Sequence, residues 1–166
     1  GSYHGAIHNT QTYLVMSHDG SDGRMVLEKD RLRIHWPNVG KKPIFQTVND
    51  TLDRATQPLG GSYVPDPLWG KLFDQSLVTV HPLGGCPMAD SGATGAVDPK
   101  CRVFQGSGDA VHEGLYVADG SVMPRSLGVN PLFTITAMAE RTLALMTEER
   151  GWTIDYTQPS RPKTDP

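Results

Sequence analysis

Cysteine is nearly absent from this sequence: Cys86 and Cys101 are the only two in 166 residues. Two thiols cannot build the disulfide framework of a small secreted scaffold. They read as free thiols, a usage that tips slightly toward the cytoplasm and otherwise leaves location open. Charge of one sign is also missing. Fifteen Lys and Arg against eighteen Asp and Glu leave a formal charge of −3. No basic stripe is offered to nucleic acid, and no Lys or Arg run to a membrane surface. No apolar stretch approaches the roughly 18 residues of a transmembrane helix. Gly1-Ser2-Tyr3-His4-Gly5 has neither a signal-peptide pattern nor an initiator methionine, as expected of a segment cut from a longer chain.

A dinucleotide fingerprint is lacking too. The nearest string to G-x-G-x-x-G, Gly106-Ser107-Gly108-Asp109-Ala110-Val111, has valine at the third glycine position. Only His112, Glu113 and Gly114 follow before the next apolar run, so no phosphate-binding helix fits there. What remains is an ordinary globular composition, 37% apolar and 20% charged, long enough for one domain or parts of two.

Several elements can be read along it. Thr12-Tyr13-Leu14-Val15-Met16, Met25-Val26-Leu27 and the alternating Arg31-Leu32-Arg33-Ile34-His35-Trp36 predict strands joined by turn residues, paired antiparallel with one wet face. Pro43 opens a helix whose Ile44, Val48, Leu52 and Ala55 share a face, stopped by Pro58 and Gly60-Gly61. Residues 63–73 read as a packed loop or short helix. Leu77-Val78-Thr79-Val80 is a short apolar run ending at His81-Pro82-Leu83-Gly84-Gly85. A long Gly- and Asp-bearing stretch, 88–114, leads to a compact strand, Leu115-Tyr116-Val117-Ala118, ending in Asp119-Gly120. The clearest helix covers 131–150, with Asn130 as N-cap, Pro131 at the first helical position and Gly151 as the stop. Its apolar positions are Leu132, Ile135, Met138, Ala139, Leu143 and Met146. The fold class is therefore α+β. Residues 1–75 would form part of a substrate-side sheet with a covering helix, 76–152 a strand and long helix, and 153–166 a polar tail.

Three places could carry chemistry. A histidine at a strand end beside two glycines, as at His81, is well placed to serve as a base, because imidazole titrates near neutrality and glycine lets a ligand approach. Taken alone, such a histidine is more often a hydrogen-bonded turn residue. Asn130 is first a helix cap, although the free N–H groups behind it also favour negative charge. Asp119-Gly120 is first a turn, although strand ends of this kind also hold ligands in open α/β sheets.

Their order adds weight. His81-Pro82-Leu83-Gly84-Gly85-Cys86, then 115–124 (LYVADGSVMP), then Gly128-Val129-Asn130-Pro131 opening Thr134-Ile135-Thr136-Ala137-Met138-Ala139-Glu140-Arg141, resembles the C-terminal signature of the glucose–methanol–choline oxidoreductases. Among these it is most similar to bacterial cholesterol oxidases, densely after Leu77 and weakly before it. The resemblance implies an FAD-dependent alcohol oxidase or dehydrogenase acting on a small-molecule alcohol, sterol-like or otherwise hydrophobic. It implies His81 as the catalytic histidine that takes or positions the hydroxyl proton. Asn130 is implied as the second polar residue facing substrate oxygen and flavin. Asp119 and Gly120 would lie with their backbone along FAD, and Pro131 and Leu132 at the helix start beneath the flavin's pyrimidine edge. The strand and long helix would complete an FAD-binding α/β domain supplied mainly by an N-terminal half, without which this chain is not expected to act. The sequence departs from cholesterol oxidases in two respects: their upstream glutamate base has no counterpart, since Glu28 falls in a turn, and the stretch 88–114 is bulkier than a sterol oxidase is expected to carry.

Two other readings use the same residues. His81, Cys86, Cys101 and His112 could supply a zinc site, but their spacing lacks the short C-x-x-C knuckle. A non-catalytic interaction module could also retain the family fold.

Overall fold

A computed structural model describes residues 3–157, so most of the expected tail, from residue 158 on, lies outside the described residues. The α+β class holds. Two antiparallel two-stranded sheets, β1–β2 and β3–β4, accompany two α-helices, α1 (Pro43–Thr56) and α2 (Leu132–Glu149). The chain divides into two compact units. One comprises Gly1–Gly85 with Met123–Pro131, the other Cys86–Val122 with Leu132–Pro166.

In the first unit, β1 (Arg24–Glu28) and β2 (Arg31–His35) form a hairpin with Met25 opposite Ile34 and Leu27 opposite Leu32. The two turn residues, Lys29 at φ 50° and Asp30 at φ 58°, are both left-handed, matching the strand twist that a two-residue hairpin loop requires. Alternation puts the four apolar side chains on one face, as expected. The covering helix is a correction: every hairpin residue except Val26 is exposed, so α1 does not lie over it. Thr12-Tyr13-Leu14-Val15-Met16 and Leu77-Val78-Thr79-Val80 are also corrected, since neither run is a strand. β-Branched residues favour extended backbone, but a strand needs a neighbour to satisfy its ladder, and no described segment pairs with either run.

Helix α1 begins at Pro43, where the missing N–H costs nothing, and runs into a 3₁₀ turn closed by Gly60 at φ 68°. Half-buried Ile44, Val48 and Leu52 mark its inner face, each contributing about 1 kcal/mol. The loop beyond wraps back. Tyr63 donates its hydroxyl to Asn49 Oδ1 at 2.5 Å, and Trp69 Nε1 donates to the Gly40 carbonyl at 2.8 Å. Gly40 must be glycine, because a Cβ there would stand 1.7 Å from the Gln75 carbonyl oxygen.

The second unit is built around Val97, Cys101 and Val122, all fully buried. β3 (Arg102–Phe104) pairs with β4 (Val111–Tyr116) across a register irregularity. The expected strand 115–118 is thus shifted: Leu115 and Tyr116 close β4, while Val117 and Ala118 lie beyond it. The stretch 88–114 is built rather than loose. Val97 bridges both Met88 and Val103, and Gly92 donates to the Gly108 carbonyl at 2.8 Å. Helix α2 starts one residue later than expected, which leaves Pro131 just outside it, fully buried. It ends in a Schellman motif, with Trp152 N on the Thr147 carbonyl at 2.8 Å, Gly151 N on the Glu148 carbonyl at 3.2 Å, and Gly151 at φ 65°.

Candidate active site

His81 sits where the extended run meets the Gly84-Gly85 turn, and its Nδ1 is sealed from solvent with no hydrogen-bond partner. Gly84 (φ 83°) and Gly85 (φ 110°) both take backbone that side chains rarely adopt. Each is also pressed from outside. A Cβ on Gly84 would be 3.3 Å from the Met123 carbonyl oxygen, and one on Gly85 would overlap Met25 Cε at 2.2 Å. The His81 loop thus runs against the start of the segment that carries Asn130, within one compact unit.

That segment, Met123–Pro131, is fastened at several points. Ser126 Oγ donates to the Ser17 carbonyl at 2.5 Å and accepts from Gly128 N at 3.4 Å. Gly128, at φ 69°, packs against the His18 imidazole. Two residues on, Asn130 is exposed, and Pro131 behind it is fully buried. His81, Asn130 and Pro131 share the first unit, whereas Asp119, Gly120 and Leu132 belong to the second.

Asp119 is occupied locally. Its Oδ1 accepts from Ser121 N at 2.8 Å and from Ser121 Oγ at 2.5 Å. The Ser121 side-chain bond, then the Ser121 backbone bond, hold its carboxyl below the usual value against the smaller opposing effect of burial. Gly120 is buried and opens the 3₁₀ turn Gly120–Val122. The Asp119 side chain is therefore the cap of a turn, leaving backbone as what this pair can offer a ligand. Leu132 opens α2 and is largely exposed. The zinc reading has no geometry behind it: among the described residues no group of three or more His, Cys, Asp or Glu side chains is arranged to hold a metal ion.

Sequence reasoning passed over Ser17, His18, Met25 and Ser126, which fix the two candidate loops. Only the glycines they touch, Gly85 and Gly128, stood in the motifs.

Comparison with known proteins agrees with these motifs. The GMC oxidoreductase family model, for the C-terminal portion, matches residues 24–139, and the chain belongs to that family. Cholesterol oxidase of Mycobacterium tuberculosis is 32% identical over 141 residues, covering 80% of this chain and 22% of the relative. Cholesterol oxidase of Acinetobacter baumannii is 42% identical over 85 residues, covering 48% and 14%. Long-chain-alcohol oxidase FAO4B of Arabidopsis thaliana is 32% identical over 94 residues, covering 57% and 11%. The chain thus spans less than a quarter of the length of these relatives. No solved structure matches it. Family membership supports an oxidoreductase, and the relatives' names support alcohol oxidation.

Proposed function

We propose that this chain is the C-terminal part of an FAD-dependent oxidase or dehydrogenase of hydrophobic alcohols, with His81 and Asn130 as its catalytic pair. The observation that carries the reading is the packing of the His81 loop against the Asn130 segment inside one unit, with the Nδ1 edge of His81 sealed. His81 Nε2 takes the substrate hydroxyl proton. Asn130, whose carboxamide can both donate and accept, orients the same oxygen. When bound, FAD supplies the two-electron sink for hydride leaving the carbinol carbon, so the alcohol becomes a carbonyl compound. Among the residues present, the backbone of Asp119-Gly120 and the α2 start at Asn130, Pro131 and Leu132 would hold the flavin. The first-turn N–H groups of an 18-residue helix fit the negative charge that a reduced flavin gains. The sequence lacks a G-x-G-x-x-G fingerprint, so the pyrophosphate would fall to an N-terminal half.

The exposed apolar surface supports such a partner. Leu27, Leu32 and Ile34 of the hairpin and Leu132 and Phe133 of α2 are all more than half exposed. A helix this apolar belongs in an interior, and packing against an N-terminal half would cover both surfaces. The substrate class follows the relatives' names, sterol and long-chain alcohols alike. The test is stopped-flow flavin reduction in the complete protein with cholesterol and with a long primary alcohol. His81→Ala should slow reduction roughly 10²–10⁴-fold while flavin stays bound. Reduction at the parent rate would make His81 structural and remove the mechanism.

A further inference from the structure

We propose that His18 is a positioning residue for Asn130, acting as a wedge beneath Gly128; this rests on the catalytic reading of Asn130 given above. A Cβ on Gly128 would meet His18 Nε2 at 2.7 Å, Cε1 at 3.1 Å and Cδ2 at 3.3 Å. The imidazole edge therefore lies on the bare Cα of a residue two positions before Asn130. The backbone that carries the wedge is held on both sides. On one side the Ser17 carbonyl accepts from Ser126 Oγ at 2.5 Å. On the other the Asp19 carbonyl accepts from Lys42 Nζ at 2.8 Å. Lys42 is in turn fixed by Asp22 Oδ1 at 2.5 Å and lies 5.3 Å from the centre of the Trp36 ring. The imidazole thus reaches Gly128 from a backbone fixed on either side of it.

The backbone of Asn130 then runs between two anchors, Gly128 on His18 and the fully buried, φ-locked Pro131. Remove the wedge and Gly128 keeps only its 3.4 Å bond to Ser126 Oγ, while Pro131 stays. His18 is itself exposed, so its loss takes little apolar burial with it. Its effect should fall on the placement of Asn130 and not on the fold. Placement matters, because a displacement of about 1 Å at a reacting centre can cost on the order of 100-fold in rate.

The experiment uses the complete flavoprotein carrying His18→Ala, His18→Gln, Asn130→Ala and the His18→Ala/Asn130→Ala double variant. Amide hydrogen exchange is read at Gly128, Val129 and Asn130, beside stopped-flow flavin reduction by cholesterol and by dodecanol. His18→Ala should speed exchange at these amides about tenfold and leave the exchange of α1 unchanged. It should slow reduction about tenfold with little change in the substrate concentration needed for saturation. His18→Gln, which places an amide nitrogen near the same point, should recover most of both. The double variant should be no slower than Asn130→Ala, because the wedge has nothing left to position. Unchanged exchange in His18→Ala overturns the proposal whatever the rates do, and so do losses that multiply in the double variant. If Asn130→Ala reduces flavin at the parent rate, the catalytic reading of Asn130 fails. The exchange measurement still decides whether His18 holds the segment.

Discussion

Asp98 should be a costly polar residue to remove. It is 7% exposed and its carboxylate accepts three hydrogen bonds and a further ion-pair contact. Oδ1 receives Lys100 N and Arg102 N, both at 2.9 Å, and Oδ2 receives Arg102 Nε at 2.8 Å and Nη2 at 2.6 Å. The carboxylate thereby closes a turn in which fully buried Cys101 takes φ 64°, a conformation that a non-glycine residue does not adopt unaided. Breaking a buried ion pair costs about 3–5 kcal/mol. The Arg102 side chain is 30% exposed and can regain water, which argues for the lower end. Asp98→Ala should therefore destabilise by about 3 kcal/mol, and Asp98→Asn, which keeps an acceptor for the two amides, by about 2 kcal/mol. Burial would raise the Asp98 carboxyl, but the Arg102 side chain and the Arg102 and Lys100 amides outweigh it and hold it below 3.8. A depressed folded value means stability present above the unfolded value and lost as pH falls through the folded one. The gap between parent and Asp98→Asn should thus be full at neutral pH and narrow as pH drops below about 4. Thermal unfolding of the complete protein across pH 3–7 checks both statements. A loss under about 0.5 kcal/mol, or a gap that stays constant into acid, would refute the reasoning.

Two further outcomes follow from the same structure. The chain by itself should show no saturable FAD binding by calorimetry up to the micromolar range, since it brings backbone and a helix start but no phosphate cradle; micromolar binding without a partner chain would sink the division of labour proposed above. Gly85→Ala should cost about 1–2 kcal/mol and slow flavin reduction, because φ 110° is strained for alanine and its Cβ would strike Met25 Cε. Adding Met25→Ala should restore only the steric part, and full restoration by that second change would show that backbone strain was not involved.

Much of the fold was legible because the cues were local. Pro43 and Pro131 mark where α1 and α2 begin, Gly151 marks where α2 stops, and alternation at residues 31–35 identifies a strand. The failures share a cause. Thr12-Tyr13-Leu14-Val15-Met16 and Leu77-Val78-Thr79-Val80 have the composition of strands, but composition cannot supply the neighbour that makes a strand. The opposite error occurred at His112 and Glu113, too polar to read as sheet yet part of β4, which Val111 and Tyr116 pair to β3. Likewise the stretch 88–114 reads as loop because its order comes from backbone contacts. Gly92 fits under the Gly106 carbonyl, where a Cβ would be 1.9 Å away, and Gly95 fits against Ala89. A sequence shows the glycines and not what lies above them.

The same limit explains why the candidate pair could be named while its supports could not. His81 and Asn130 stand in motifs of fixed order, next to glycines that signal close approach. What approaches comes from outside the motifs: Met25 lies on Gly85 and His18 lies on Gly128. Each contact uses the absence of a Cβ on the motif side and an adaptable side chain on the other. The motif side therefore has one acceptable residue, whereas the other could be filled by several of similar reach. On the proposed reading, substitutions at Met25 and His18 would shift the two candidate loops without touching His81 or Asn130 themselves.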